Sequence, residues 1–297
     1  MSSALRVAKK EVGSYFSSLA ALIFIGVFLG VSLFTFFWGE RFFARNIADL
    51  RPLFEWMPVL LIFLVSAVTM RMWSEERRSG TVEFLMTAPV SPVSLISGKF
   101  LACFFLVALA LALTLPLPIT VSLLGPLDWG PVIGGYVATL FLAAAYCSIG
   151  LFVSARTDSQ IVSLIVTALV CGIFYILGSD ALTSLAGNKG GEFLRLLGSG
   201  SRFESITRGV IDLRDIYYYL SIFGVFAVLT VFALERLRWS KGKKSKRHVE
   251  WFAFSALAVA NLVAANLWLD AISFARIDLT DGQIYSISPA TKRYLRD

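Results

Sequence analysis

The chain has 297 residues, of which 57% are apolar and 16% charged, with a formal charge of +7 and a mean hydropathy of +0.74. A soluble chain carries about 25% charged residues, and a compact fold of this length needs more polar surface than these numbers supply. The 25 Phe and 7 Trp exclude disorder, 22 Gly without a period exclude collagen, and 3 Cys exclude a disulfide scaffold, which leaves a polytopic membrane protein.

The first predicted element is an amphipathic helix over residues 4–18. Leu5, Ala8, Val12, Phe16 and Leu19 fall on one stripe, with Arg6, Lys9, Lys10 and Ser14 off it, the pattern of a helix lying in a membrane interface. Seven apolar runs follow: Leu19–Trp38, Trp56–Trp73, Phe100–Leu124, Val132–Val153, Ile161–Gly178, Ile216–Leu234 and Trp251–Leu269. Each is long enough to cross a hydrocarbon layer of about 30 Å with ordinary tilt. Of the 27 basic and 20 acidic residues, only Arg71 lies within one of them. Backbone in lipid must satisfy its own hydrogen bonds, so these runs are predicted as helices, and the alternating strands of a barrel are absent.

Between the second and third runs lies the charged cluster Glu75-Glu76-Arg77-Arg78, which ends at Gly80. Thr81–Thr87 then offers Val82, Leu85 and Met86 as an apolar edge, Pro89 stops it, and Ser91-Pro92 reads as a helix cap and first turn leading to Lys99. The residues alone suit an ordinary amphipathic loop or a docking element for a partner. In the third run, Pro116 and Pro118 are kink candidates, because each removes a backbone donor. Residues 179–215 alternate apolar and charged patches, including Phe193–Leu197 and Phe203–Ile206; they suit an interfacial hairpin or a solvated loop. Asn261 and Asn266 are the polar residues of the seventh run, where amides bond across helix interfaces for about 0.6–2 kcal/mol. Beyond it, Asp281-Gly282 is a turn signal and Ser288-Pro289 a helix start.

Tryptophan placement supports the boundaries: Trp38, Trp56, Trp73, Trp129, Trp239, Trp251 and Trp268 stand at or beside run ends, and Tyr217, Tyr218 and Tyr219 mark another, as an aromatic belt requires. Basic residues set the orientation. Arg6, Lys9 and Lys10, then Arg77 and Arg78, then Arg236, Arg238, Lys241, Lys243, Lys244, Lys246 and Arg247 all fall on one side, which the positive-inside bias makes cytoplasmic, with the amino terminus inside and the carboxyl terminus outside. Residues 236–247 read as a lipid-headgroup patch, not a nucleic-acid site. The first run is too long for a cleavable signal and is expected to remain as an anchor.

A single histidine, His248, excludes a histidine metal site or triad within the chain, and Cys103, Cys147 and Cys171 have no metal-like spacing. No phosphate-binding loop occurs, since Gly98-Lys99 is followed by Phe100. The runs hold no carboxylate for a proton relay. Energy for uphill transport would therefore enter from another subunit, and the chain is expected to be neither an enzyme nor a holder of any catalytic or metal site.

Two segments carry a resemblance. Lys9-Lys10-Glu11-Val12-Gly13-Ser14-Tyr15-Phe16-Ser17-Ser18 is similar to the start of ABC-2 type permease subunits, and Glu75 through Pro89, continuing to Gly98-Lys99, resembles their cytoplasmic signature. The branch it resembles is that of gliding-motility and nitrous-oxide-reductase-maturation permeases. The resemblance implies an all-α, six-helix ABC-2 domain of the type V exporter kind over residues 1–249, with one additional transmembrane helix in 250–297. It implies an interfacial helix bearing Lys9, Lys10, Glu11, Tyr15 and Phe16, and a coupling loop over 74–98. There Glu75, Glu76, Arg77, Arg78, Gly80, Thr81, Glu83, Leu85 and Pro89 would meet a separate ABC ATPase subunit. ATP and Mg would be bound by that partner, and no cofactor by this chain. Residues 179–215 would form helices that partly re-enter the membrane.

The stretch from Arg276 to Leu295 resembles the start of the auxiliary subunit of gliding-motility-type permeases, through Asp278, Leu279, Thr280, Tyr285, Ser288 and Pro289. It implies a permease fused to the beginning of an extracytoplasmic domain. Further partners implied are a second permease copy, identical in a homodimer or homologous, and membrane lipids, in a bacterial inner membrane; nucleic acid is not expected. A membrane scaffold that uses ATP for mechanical signalling without translocation is the alternative.

Overall fold

The computed structural model describes residues 3–87, 90–185, 187–236, 246–270, 276–281 and 285. Pro89, the basic loop 237–245 with Trp239, and Ser288 and Pro289 lie outside the described residues. The protein is a helical bundle with seven helices long and apolar enough to cross a membrane. Helix α1 (Ser3–Phe16) precedes α2 (Ala20–Phe34), which runs into a π-helical turn at Thr35–Gly39, and a short α3 (Phe42–Arg45). The spanning α4 (Arg51–Thr69) is followed by α5 (Ser74–Arg78) and α6 (Thr81–Thr87). Next come α7 (Pro92–Ala112), α8 (Pro116–Leu124), α9 (Trp129–Ser154) and α10 (Gln160–Leu177). The short α11 (Asp180–Leu185), α12 (Gly187–Leu197) and α13 (Ser199–Thr207) lead through strand β1 (Val210–Asp212) to α14 (Leu213–Glu235), α15 (Lys246–Asp270) and strand β2 (Arg276–Asp278).

All seven predicted spans are present. The third breaks at Leu113–Leu115, between α7 and the Pro116 that opens α8, where the missing proline donors interrupt the ladder. Thr114 Oγ1 fills the gap, donating to Leu111 O at 2.7 Å and meeting Tyr136 Oη at 2.9 Å. Caps follow local chemistry: Ser91, Asp128, Ser159 and Asp212 each accept a first-turn N–H of α7, α9, α10 and α14. The structure adds one antiparallel strand pair, β1 with β2, to the otherwise helical protein.

Helix α9 is the most buried span and the axis of the bundle, packed against α4, α14, α13, α10 and α7. Where α9 meets its neighbours it is lined by small residues, Gly134, Gly135, Ala138, Ala143, Ala145 and Gly150, which let helix backbones approach where lipid offers no hydrophobic drive. The lipid-accessible surface is apolar instead, with Leu22, Ile23, Phe63, Leu123, Ile165, Leu169 and Leu257 exposed. Helix α15 leans on α14, with Asn266 Nδ2 donating to Ser221 Oγ at 2.7 Å; Asn261 is exposed. Strand pairing fixes the direction of α15. Since β1 lies where α14 begins, β2 can join it only if α15 runs the length of the bundle back from the end of α14.

Two aromatic signals have other roles. Trp73 is fully buried, not interfacial. Tyr218 and Tyr219 are buried and tether the hairpin, their hydroxyls donating to Leu197 O and, at 2.9 Å, to Ser199 O. The bundle thus has two distinct ends: one carries α1, α5 and α6, and the other carries α11–α13 and the strands.

Truncating Leu142, which is fully buried on α9, leaves a cavity, and Leu142→Ala is expected to cost about 2–5 kcal/mol. Leu123→Ala, at a lipid-facing position, is expected to be near neutral. Thermal midpoints of the purified protein in mild detergent check the contrast.

Candidate functional site

The polar residues gather at the α1–α5–α6 end around Lys99, about two turns beyond Ser91, the cap of α7. Its side chain is 3% exposed. An ammonium has three donors, and all three are used: Nζ lies 3.0 Å from Glu11 Oε1 on α1, 2.8 Å from Glu76 Oε1 on α5, and 2.8 Å from Met72 O at the end of α4. The Trp73 ring lies 4.8 Å away and covers the charge, a contact that strengthens out of water. Glu11 and Glu76 are only 16% and 19% exposed. Lys99 therefore ties α1, α5 and α7 to the turn that follows α4.

Two further contacts lock α1. At Gly98 a Cβ would stand 2.6 Å from Val7 Cβ and 2.7 Å from Ala4 O, so only glycine lets α1 lie this close to α7. Tyr15 is fully buried; its hydroxyl donates to Val68 O, and the Arg71 guanidinium stacks 4.0 Å above its ring. Burial pushes the Tyr15 phenol well above its ordinary pKa, which keeps it a donor. The protein-facing stripe of α1 is thus Ala4, Ala8, Glu11 and Tyr15, whereas Leu5, Phe16 and Leu19 are exposed. The apolar stripe of the amphipathic pattern is divided: Leu5 and Phe16 are exposed, with Lys9 and Lys10, while Ala8 is buried and Val12 half-buried.

Helix α5 is fastened from a third side. Ser154 Oγ, at the end of α9, accepts the N–H groups of Trp73 and Ser74 at 3.0 and 3.1 Å and donates to Met70 O at 3.2 Å. It supplies from another helix the cap that Trp73 cannot. Arg77 donates to Asp158 at 2.6 Å and to Ala155 O at 3.0 Å in the α9–α10 turn. Gly80, at φ +73°, makes the turn into α6, a conformation that costs other residues strain.

On α6, Val82 and Met86 are buried and Leu85 half-buried, while Glu75, Arg78, Gly80, Thr81, Glu83 and Phe84 are exposed. Phe84 is 78% exposed. A cleft of about 360 Å³ separates α1 from the α5–α6 loop and is lined by Lys10, Glu11, Arg71, Glu75, Glu76 and Thr81. The structure therefore divides the predicted loop residues. Glu76 and Arg77 point into the bundle and hold it, Leu85 packs against the core, and Glu75, Arg78, Gly80, Thr81 and Glu83 form an outward face. Lys99 closes the signature in the sequence without a role of its own there, and Ser154, Asp158 and Phe84 are not singled out by sequence reasoning. A lone lysine at the lip of an apolar run is a signal for the first, and a phenylalanine in a charged loop for the last; Ser154 and Asp158 carry none.

At the opposite end a cavity of about 490 Å³ opens between α4, α10 and α13, with Arg51, Glu55, Tyr175, Ser201, Glu204 and Arg208 around it. Its rim is charged with both signs, Glu204 and Arg208 being ion-paired at 2.6 Å. The extracytoplasmic-motif residues Asp278, Leu279, Thr280 and Tyr285 lie at this same end, far from Lys99. Among the described residues no group of His, Cys, Asp or Glu could hold a metal ion, and the three cysteines are buried and unpaired.

Replacing Lys99 by Met leaves Glu11 and Glu76 buried together without a cation, and is expected to cost about 3–5 kcal/mol. Lys99→Met combined with Glu11→Gln and Glu76→Gln should recover most of that loss. Thermal midpoints of the single and triple variants decide the matter; a single variant as stable as the parent refutes the structural role.

Among comparisons with known proteins, the family model described as ABC-2 family transporter protein matches residues 8–276. No curated protein matches the chain.

Proposed function

Because the chain belongs to the ABC-2 family of transporter proteins, and is a multi-pass membrane subunit of it, we propose that it converts the motion of a separate ABC ATPase subunit into movement of its own spans. One observation carries this: the α5–α6 loop presents an exposed face while its inward face is bonded to Lys99 on α7, to Ser154 on α9 and to Asp158 in the α9–α10 turn. A push on Glu75, Thr81, Glu83 and Phe84 is carried rigidly, since α5 continues from α4, grips α7 and α1 through Glu76 and Lys99, and grips the α9–α10 turn through Arg77 and Asp158. Packed elements transmit displacement because they do not deform smoothly.

In this reading α1 is the interfacial helix and its end of the bundle is cytoplasmic, in a bacterial inner membrane. ATP and Mg belong to the partner. A second permease copy packs on the sparsely covered α10, whose exposed stripe of Ile161, Ile165, Leu169, Ile173 and Ile176 has no cover among the described residues. Shifts of α2, α4 and α10 then open a path outward beside the mixed-charge cavity, which suits a cargo with polar groups. Residues 250–297 add a seventh helix and open an extracytoplasmic domain of the gliding-motility kind. A scaffold that uses ATP mechanically, without cargo, is the second reading, favoured by the strand Arg276–Asp278 docked on the bundle; coupled ATP hydrolysis with no translocated substrate would distinguish it.

Glu75→Lys with Glu83→Lys and Phe84→Ser alters only the exposed face, and is expected to abolish co-purification of the nucleotide-binding subunit from native membranes while leaving expression and thermal midpoint unchanged. Reversal of Glu76 is unsuited to this test, since it sets two cations face to face in the bundle. Normal co-purification by the triple variant would overturn the coupling assignment.

A further inference from the structure

The chain beyond α15 returns to the bundle as a strand. β2 pairs antiparallel with β1 in the register Val210↔Asp278, Ile211↔Ile277 and Asp212↔Arg276, and Leu279 N–H extends the ladder to Gly209 O at 2.9 Å. An isolated two-stranded pair is marginal in water, so the contacts beneath it decide whether it holds.

Those contacts form a groove shaped for main chain. At Gly130, in the first turn of α9, a Cβ would stand 2.3 Å from Leu279 O and 2.8 Å from Thr280 Cα. Gly209, at φ +90°, faces Thr280 from the other side, where a Cβ would stand 2.9 Å from Thr280 Cγ2. Asp128, which caps α9 by accepting Gly130 N–H at 2.9 Å, also accepts Asp281 N–H at 3.3 Å. Thr280 is buried in this groove, whereas the side chains of Ile277 and Leu279 are exposed. Recognition is thus by backbone, as in strand addition to a sheet edge.

The strand's far end is shaped by its own carboxylate. Asp278 accepts Thr280 N–H at 3.0 Å, the Thr280 hydroxyl at 2.6 Å and Tyr285 N–H at 2.8 Å. The Thr280 hydroxyl, foremost of these, holds the Asp278 carboxyl below the usual range, so it stays an acceptor through mild acid. Asp278 and Thr280 accordingly act as a turn that presents the strand, not as ligands for a bound molecule.

We infer that this end of the bundle carries a strand-docking groove, floored by Gly130 and Gly209 and edged by β1, whose occupant is the Arg276–Asp281 segment of the same chain. Docking there fixes the Arg276–Asp281 segment to α9, the axis of the bundle, and to α13 through the turn at Gly209. Any displacement of the α11–α13 hairpin against α9 must then either carry that segment with it or release the strand. This holds whether or not the protein moves a cargo.

The test uses the full-length chain in membranes, with Cys103, Cys147 and Cys171 replaced by Ala and a protease site inserted in the loop 237–245. Paired residues across such a ladder have Cα atoms about 4.5–5.5 Å apart, within disulfide reach, so Ile211→Cys with Ile277→Cys should link on mild oxidation. The cleaved halves should then stay together on a denaturing gel until reduced, and a Phe43→Cys, Ile277→Cys pair should not link. Adding Gly130→Val should lower linkage about tenfold, the equilibrium change that crowding of this size produces. Asp278→Asn, which leaves the groove itself intact, should act in the same direction and separates undocking from misfolding. Absent linkage, linkage untouched by both variants, or a disulfide-linked dimer in place of an intrachain bond would each overturn the inference.

Discussion

Everything at one end of this protein depends on a single ammonium group kept from water. Lys99 stands at the start of an apolar helix, where an unpaired charge would be costly. Its cost is offset only because three acceptors, from three different elements, meet its three protons. Remove any one and the remaining charges are left buried. Interhelical packing in lipid draws little from the hydrophobic effect, so a saturated ion cluster and close small-residue contacts do there what an apolar core does in a soluble protein.

The same cluster explains why the charged loop after α4 has two characters. Glu76 and Arg77 are consumed by the bundle, and Glu75, Glu83 and Phe84 remain free to meet a partner. A loop that both docks a partner and moves helices must be stiff on one side and accessible on the other. Two residues adjacent in sequence, Glu75 and Glu76, serve those separate demands because α5 turns successive side chains about 100° apart, leaving Glu75 exposed and aiming Glu76 at Lys99.

The far end is organised differently. A buried ion pair, Arg202 with Asp215 at 2.9 Å, works there beside close main-chain approaches: tyrosine hydroxyls reach hairpin carbonyls, and Gly130 and Gly209 leave space for a backbone. One end of the bundle is thus fastened around a single buried cation, and the other by a buried ion pair together with close main-chain contact. The long α9 joins them, with Ser154 at its last turn and Asp128 capping its first.

The sequence by itself determined the membrane class, the seven helices, the caps at Ser91 and the break before Pro116, because charge exclusion, span length and missing donors are local properties. The amphipathic pattern of α1 was legible too, but its large apolar residues Leu5 and Phe16 are the exposed ones, since the side packed on the bundle carries Ala4, Ala8, Glu11 and Tyr15. Trp73, Tyr218 and Tyr219 looked interfacial because an aromatic near a helix end has the same local pattern whether it meets headgroups or another helix. The tertiary structure alone decided which charges pair. Glu11, Glu76 and Lys99 are distant in sequence, as are Ser154 and Trp73, and Leu279 and Gly130. No local periodicity encodes such meetings; they exist only once α9 has brought the helices together.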